Sequence, residues 1–185
     1  MPLRNSRQDY GSIARFAHWA TALFVLLAWL LGQFREVLPR GAAREAGLSV
    51  HMALGLGVIL LLALRLAWRA LDPPPPAIAA KRFEPWLGYA ATAGHLLLYA
   101  LLIATPILGI VMQFARGQAL PVFGLFDIAS PWTMDRAFFR EMLGLHELAA
   151  NALGVVALGH AAAALFHHWA LGDRTLARML PGIAR

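Results

Sequence analysis

Four long stretches of the chain carry no formal charge at neutral pH. They are the 19 residues between Arg15 and Arg35, the 19 between Glu45 and Arg65, the 31 between Glu84 and Arg116, and the 25 between Glu147 and Asp173. A helix needs about 20 mainly apolar residues to cross a bilayer. The pattern predicts four transmembrane helices, at about 12–34, 48–70, 87–114 and 142–171, in one membrane domain over residues 1–185. The fold class that follows is an all-α membrane protein, a four-transmembrane-helix bundle. Asp72 and the run Pro73–Pro76 stop the second helix, because proline lacks the amide proton and restricts the residue before it. Pro106 falls inside the third helix, where neighbouring helices can accommodate a kink. Gly172 is placed to cap the fourth. The longest loop, 115–141, holds Gly117, Pro121, Gly124 and Pro131, and its second half, Met134 to Met142, is expected to form a short surface helix.

Composition agrees with a bilayer setting: 59% of residues are hydrophobic and 14% charged, against about 25% charged in soluble domains. The net charge of +6 raises the question of nucleic acid, but the basic residues sit at helix ends rather than on one soluble face, which excludes that class. Their distribution follows the positive-inside rule instead. The N-terminus, the second loop and the C-terminus hold Arg4, Arg7, Arg15, Arg65, Arg69, Lys81, Arg82, Arg174, Arg178 and Arg185. The other two loops hold Arg35, Arg40, Arg44, Arg116, Arg136 and Arg140. Both termini are therefore expected in the cytoplasm. The first apolar run is too long for the core of a signal peptide and is kept as a mature helix. Most tryptophans fall near helix ends, where amphipathic rings settle in a bilayer. The absence of cysteine removes disulfides, zinc–thiolate sites, iron–sulfur clusters and covalent haem attachment.

Seven histidines carry the candidate chemistry, since ionisable groups at membrane depth are costly and usually face the bundle interior with a partner. His146 and His160 lie fourteen residues apart on one helix, close to four turns and roughly 21 Å. Following the topology, His18 shares its depth with His160 near the inner face, and His51 shares its depth with His146 near the outer face. Each pair could fill both axial positions of a haem iron, an arrangement that favours electron transfer over oxygen binding. Gly55, Gly57, Ala149, Ala150, Gly154, Ala157, Gly159 and Ala161 offer clearance for a flat macrocycle, or else close helix packing. His95 is a rival inner ligand, a quinone partner or a structural residue. His167, nearly two turns beyond His160, follows roughly the same face, and His168 points about 100° away; one of this pair could bind a quinone carbonyl or relay protons, or both are solvated interfacial residues.

At these residues the chain resembles the bacterial cytochrome b561 family of di-haem membrane cytochromes. The matching pieces are Ala17-His18-Trp19, His51, Gly94-His95-Leu96, Thr105-Pro106-Ile107-Leu108-Gly109, Arg116-Gly117, His146-Glu147, and Gly159-His160-Ala161-Ala162-Ala163 with His167-His168. The resemblance runs from about residue 10 to residue 181 and rests on the order of these pieces more than on any one. It implies two non-covalent haem b groups, one on His18 and His160, the other on His51 and His146, in a multi-pass protein of the bacterial inner membrane. One branch of the family oxidises periplasmic superoxide and reduces ubiquinone, with the equivalents of His95 and His167 near the quinone. Other members are electron-transfer subunits for periplasmic redox proteins. Arg116, Arg136 and Arg140 are candidates for steering the superoxide anion, although the outer side as a whole carries no net charge. Arg15, Arg65 and Arg140 are candidates for haem propionates. A histidine-relay transporter of small molecules or protons is the reading that would remain if no haem were bound.

Overall fold

The computed structural model describes residues 2–76, 78 and 86–180. Helix α1 spans Ser12–Gln33, followed by a 3-10 turn at Arg35–Val37. Helix α2 spans Ala42–Leu71 and α3 spans Trp86–Ala115. Two short strands follow, β1 (Leu120–Val122) and β2 (Phe126–Ile128). Helix α4 spans Arg136–Phe166 and runs into a π turn at His167–Leu171. All four helices are long and apolar enough to cross a membrane. Lys81, Arg82 and Arg185, three of the cations behind the expected orientation, lie outside the described residues.

Two helix boundaries differ from expectation for one physical reason: a helix may carry charge once it leaves the hydrocarbon. Helix α2 begins at Ala42, six residues early, with Arg44 in its first turn bonded to the Leu38 carbonyl at 3.0 Å and to the Glu36 carboxylate at 3.2 Å. Helix α4 begins at Arg136, so the segment 134–142 is largely the opening of α4 rather than a separate surface helix. Asp135 caps it, accepting from the amides of Ala137 (2.9 Å) and Phe138 (3.0 Å), which satisfies two donors that a helix start leaves open. The third loop also contains an antiparallel hairpin, with Leu120 opposite Ile128 and Val122 opposite Phe126. Its turn places Phe123 (φ 53°) and Gly124 (φ 71°) at positive φ, the combination that matches the twist of a two-stranded ribbon.

The helices form two hairpins. Helix α1 packs along α2, and α3 along α4, whereas the two hairpins meet mainly between α2 and α3 and only slightly between α1 and α4. Within the first hairpin, a Cβ on Gly57 would lie 2.5 Å from the Phe24 ring, so the closeness of α1 and α2 depends on that glycine. Val58 and Leu62 from α2, Leu102 from α3 and Leu153 from α4 form a small buried core, backed by Phe24, Val25 and Tyr99. Most other large apolar side chains, including Leu64, Leu96, Val155 and Leu158, point outward, where lipid is their solvent.

The two ends differ. At one, the 3-10 turn, the β hairpin and the start of α4 gather. At the other, described segments near each end of the chain, around Asn5 and Arg178, meet the end of α2. There the Asn5 amide bonds Asp72 Oδ2 at 2.8 Å, Arg15 Nε bonds the Arg178 carbonyl at 2.8 Å, and Arg178 bonds the Pro76 carbonyl at 2.8 Å. Trp19 Nε1 reaches the Met179 carbonyl at 2.9 Å, and Arg174 pairs with Asp9 at 3.1 Å.

Candidate haem sites

Helix geometry sets the histidines in two layers. On α4, His146 and His160 share a face, and Leu153 of the buried core lies seven residues from each. His51 of α2 faces His146 toward the hairpin end, with ring centres 6.0 Å apart and planes crossed at 78°. His18 of α1 faces His160 toward the terminal end, at 6.2 Å and 61°. Two imidazoles on opposite sides of one metal, each bonded at about 2 Å, put their ring centres about 6 Å apart. Both pairs have that separation. His95 and His160 are closer, at 5.2 Å and 75°, which is an edge-to-face ring contact with no room for an atom between.

The hairpin-end pair is the more completely built. His51 Nδ1 lies 2.9 Å from the Ala28 carbonyl, and His146 Nδ1 lies 2.9 Å from the Thr105 carbonyl. A carbonyl only accepts, so each Nδ1 carries the proton and each Nε2 presents a lone pair, the state a metal ligand needs. The same local device recurs on both sides. Gly32 sits four residues after Ala28, and an added Cβ would lie 3.5 Å from His51 Cε1. Gly109 sits four residues after Thr105, and its Cβ would lie 3.2 Å from His146 Cε1. Each ring nests over a glycine one turn beyond the carbonyl that holds it.

A cavity of about 660 Å³ opens around these rings, within the usual range for cofactor pockets. Gly55, four residues after His51, lines it and faces open space, the clearance expected of it. Gly154 instead lies against Trp29, Gly57 against Phe24, and Gly159 touches nothing. Gln33 and Trp29 both donate to Asn151 Oδ1 on the cavity wall, at 2.6 and 3.2 Å. Of the three arginines expected to gather positive charge, only Arg116 lines the cavity, its guanidinium 5.5 Å from the Phe139 ring centre. Arg136 and Arg140 do not, and Arg140 Nε bonds the Arg136 carbonyl of its own helix at 3.2 Å. Arg35 and Arg44 also reach the cavity but are paired with Glu36.

At the terminal end, the buried His18 Nδ1 has no hydrogen-bond partner among the described residues. Arg65 is near enough to act electrostatically on both His18 and His160, and its guanidinium is 5.9 Å from the Tyr99 ring centre. His95 bonds back to the Ala91 carbonyl of its own helix at 2.6 Å. His167 is paired with Asp173, and His168 contacts the Trp169 ring. Among the described residues no three His, Cys, Asp or Glu side chains converge on one point. The donor set therefore suits a metal that brings its own equatorial ligands, and the residues present fit haem b.

A family model described as prokaryotic cytochrome b561 matches residues 9–182. The chain belongs to the prokaryotic cytochrome b561 family. Members of this family bind haem b and carry electrons in membranes, and the four spans together with this membership make the cytochrome a multi-pass protein of the bacterial inner membrane. It is 34% identical to cytochrome b561 homolog 2 of Escherichia coli over 184 residues, covering 97% of this chain and 95% of the relative. It is 32% identical to the probable superoxide oxidase CybB of Yersinia pestis over 175 residues, 94% of this chain and 97% of that one. Cytochrome b562 of Cereibacter sphaeroides is 33% identical over 169 residues, covering 88% and 89%.

Several site features escape the hydropathy pattern of the cytochrome. Gly32 and Gly109 are invisible to it, although Gly109 closes the Thr105–Gly109 segment. Nothing local announces that the Ala28 and Thr105 carbonyls orient the rings, or that Asp173 meets His167.

Proposed function

We propose that the chain is a single di-haem domain that oxidises superoxide at the hairpin end and reduces ubiquinone at the terminal end, with both termini in the cytoplasm. His51 and His146 would hold one haem b, His18 and His160 the other. Haem b held there would supply reversible one-electron storage. The observation that carries the reading is the pair of crossed imidazoles at 6.0 and 6.2 Å, each bridging the seam between the two helix hairpins. The carbonyls of Ala28 and Thr105 hold two of those rings in the ligating tautomer. Arg116 at the cavity and Arg65 near His18 and His160 are the cations placed to meet propionates, and Arg116 also draws the donor anion. His95 and His167 border the place where the quinone would sit. Two superoxide anions give up two electrons and leave as oxygen, and one ubiquinone takes those electrons with two protons to become ubiquinol. The likeness to a probable superoxide oxidase supports this donor.

Stopped-flow reduction by superoxide of the purified protein, carrying two b-type haems per chain, tests the proposal. Haem should be reduced within the dead time or soon after and reoxidised on adding ubiquinone. Haems that stay oxidised under a superoxide flux would refute the donor assignment. A second reading, an electron-carrier subunit for a periplasmic redox protein, is favoured by one feature: Phe123, Leu125, Phe126 and Ile128 of the β hairpin are all exposed. Reduction by a partner protein but not by superoxide would decide for it.

A further inference from the structure

The end of α4 departs from α-helical geometry. His167–Leu171 form a π turn, a winding that is rare and appears often at functional sites. Gly172 then takes the left-handed conformation (φ 72°, ψ 22°), and the Asp173 amide closes on the His167 carbonyl at 3.1 Å. This reversal brings the Asp173 carboxylate onto the His167 ring, with Nδ1 and Oδ2 2.5 Å apart and the side chains 21% and 15% exposed. The other carboxylate oxygen accepts the Thr175 amide at 2.8 Å, so the group is held at both oxygens. Burial pushes the Asp173 carboxyl up, but hydrogen bonds from Thr175 and His167 outweigh it and hold the group below the usual carboxylate range. The adjacent cation, Arg174, is turned away to Asp9.

With Nδ1 committed to a carboxylate, Nε2 is the nitrogen His167 offers to a ligand. His167 lies seven residues beyond His160, about 10 Å along the helix axis. Phe166 and Trp169 beside it are exposed, so this turn is open to molecules dissolved in the lipid.

We propose that Asp173 is a positioning residue for quinone reduction: it fixes the His167 ring with Nε2 outward and stabilises the imidazolium that delivers a proton to one quinone oxygen. This rests on the quinone-reducing reading above. Conversion of quinone to quinol takes two electrons and two protons and turns each carbonyl oxygen into a hydroxyl. The electrons are those released by the donor at the hairpin end. The His167 Nε2–H bond breaks as one O–H bond forms, and water at the terminal end restores that proton. Water supplies the proton on the other oxygen. A carboxylate behind an imidazole serves general acid–base chemistry by holding its orientation and balancing its charge.

The test uses the holoprotein, prereduced with superoxide and mixed with ubiquinone-1. Asp173→Asn should leave the haem spectrum, the haem content and reduction by superoxide unchanged. It should lower the limiting reoxidation rate by about 10²-fold while the half-saturating quinone concentration stays the same, and Asp173→Glu should recover part of the rate. In a His167→Gln background, Asp173→Asn should have no further effect. An unchanged limiting rate, or an equal loss in both backgrounds, overturns the proposal. If Asp173→Asn sheds haem, Asp173→Glu replaces it in the same cycle: a slowed rate that disappears in the His167→Gln background supports the proposal, and equal slowing in both overturns it. Failure of the wild-type haems to reoxidise with ubiquinone would instead remove the quinone reading itself, and this proposal with it.

Discussion

Gly109→Ala separates the haem reading from ordinary helix packing. An added Cβ would lie 3.2 Å from His146 Cε1 and 3.4 Å from Nδ1, a few tenths of an ångström inside the usual carbon contact of about 3.5–4.0 Å. Overpacking of this kind costs about 1–3 kcal/mol, while alanine gains about 1 kcal/mol over glycine in helix propensity. The two nearly cancel for the bare helix, so the fold survives. The ring cannot shift freely, because Nδ1 is held to the Thr105 carbonyl at 2.9 Å. Relief must come by tilting Nε2 away from the position that faces His51. Disturbing the support of a metal-bound histidine typically costs 10–100-fold in affinity, so Gly109→Ala should weaken one haem by roughly that factor and spare the other. Gly32→Ala is the control: its Cβ would meet His51 Cε1 at 3.5 Å, an ordinary contact, and haem binding should change little. Haem titration into the apoprotein, with electron paramagnetic resonance of the two low-spin ferric signals, reads both. Two haems of unaltered affinity in Gly109→Ala, or a larger loss in Gly32→Ala, would refute the reasoning.

Three further outcomes follow from the same geometry. His51→Ala should remove the haem at the hairpin end alone and His18→Ala the one at the terminal end alone, each halving the pyridine haemochrome yield; two full equivalents in either variant would sink the pairing. Leu153→Ala, at a position 6% exposed, should cost about 2–5 kcal/mol and lower the unfolding temperature in detergent while leaving the haem spectra in place. The Asp173 carboxyl is held below its ordinary range, so the C-terminal contacts it anchors are stabilised above that range and weaken as pH falls through the lowered value. Hydrogen exchange at Thr175 should rise on acidification in the wild type and be pH-insensitive, beyond the intrinsic exchange rate, in Asp173→Asn.

The spans were legible because a bilayer imposes a coarse rule, about 20 apolar residues without charge, and the histidine layers followed from counting turns along those spans. The helix starts were not, because beyond the hydrocarbon that rule no longer applies: Arg44 and Glu45 read as loop yet open α2. The Asp135 cap ahead of Arg136 was a readable local signal for the early start of α4. Strands of three residues are too short for any alternation to register, so the β hairpin was invisible. The clasp at the terminal end joins Asn5 to Asp72 and Arg15 to Arg178 across 67 and 163 residues, and no local pattern encodes such pairings. Clearance beside the histidines was expected from the glycines that follow them, and Gly55 supplies it. The closer supports, Gly32 and Gly109, come from neighbouring helices, where only the assembled bundle shows which glycine meets which ring.

The buried cluster of Val58, Leu62, Leu102 and Leu153 lies between the two histidine layers and offers neither a hydrogen-bond donor nor an acceptor. Those four side chains cannot relay a proton. On the two-haem proposal, an electron passing from one layer to the other would move its charge uncompensated, and the transfer would be electrogenic. Across a full bilayer that movement is worth about 2.3 kcal/mol per charge for every 100 mV. With an outer donor and protons taken up from inside, each turnover would work against an inside-negative potential and add to it, tying the rate at which this protein clears its donor to the energetic state of the membrane.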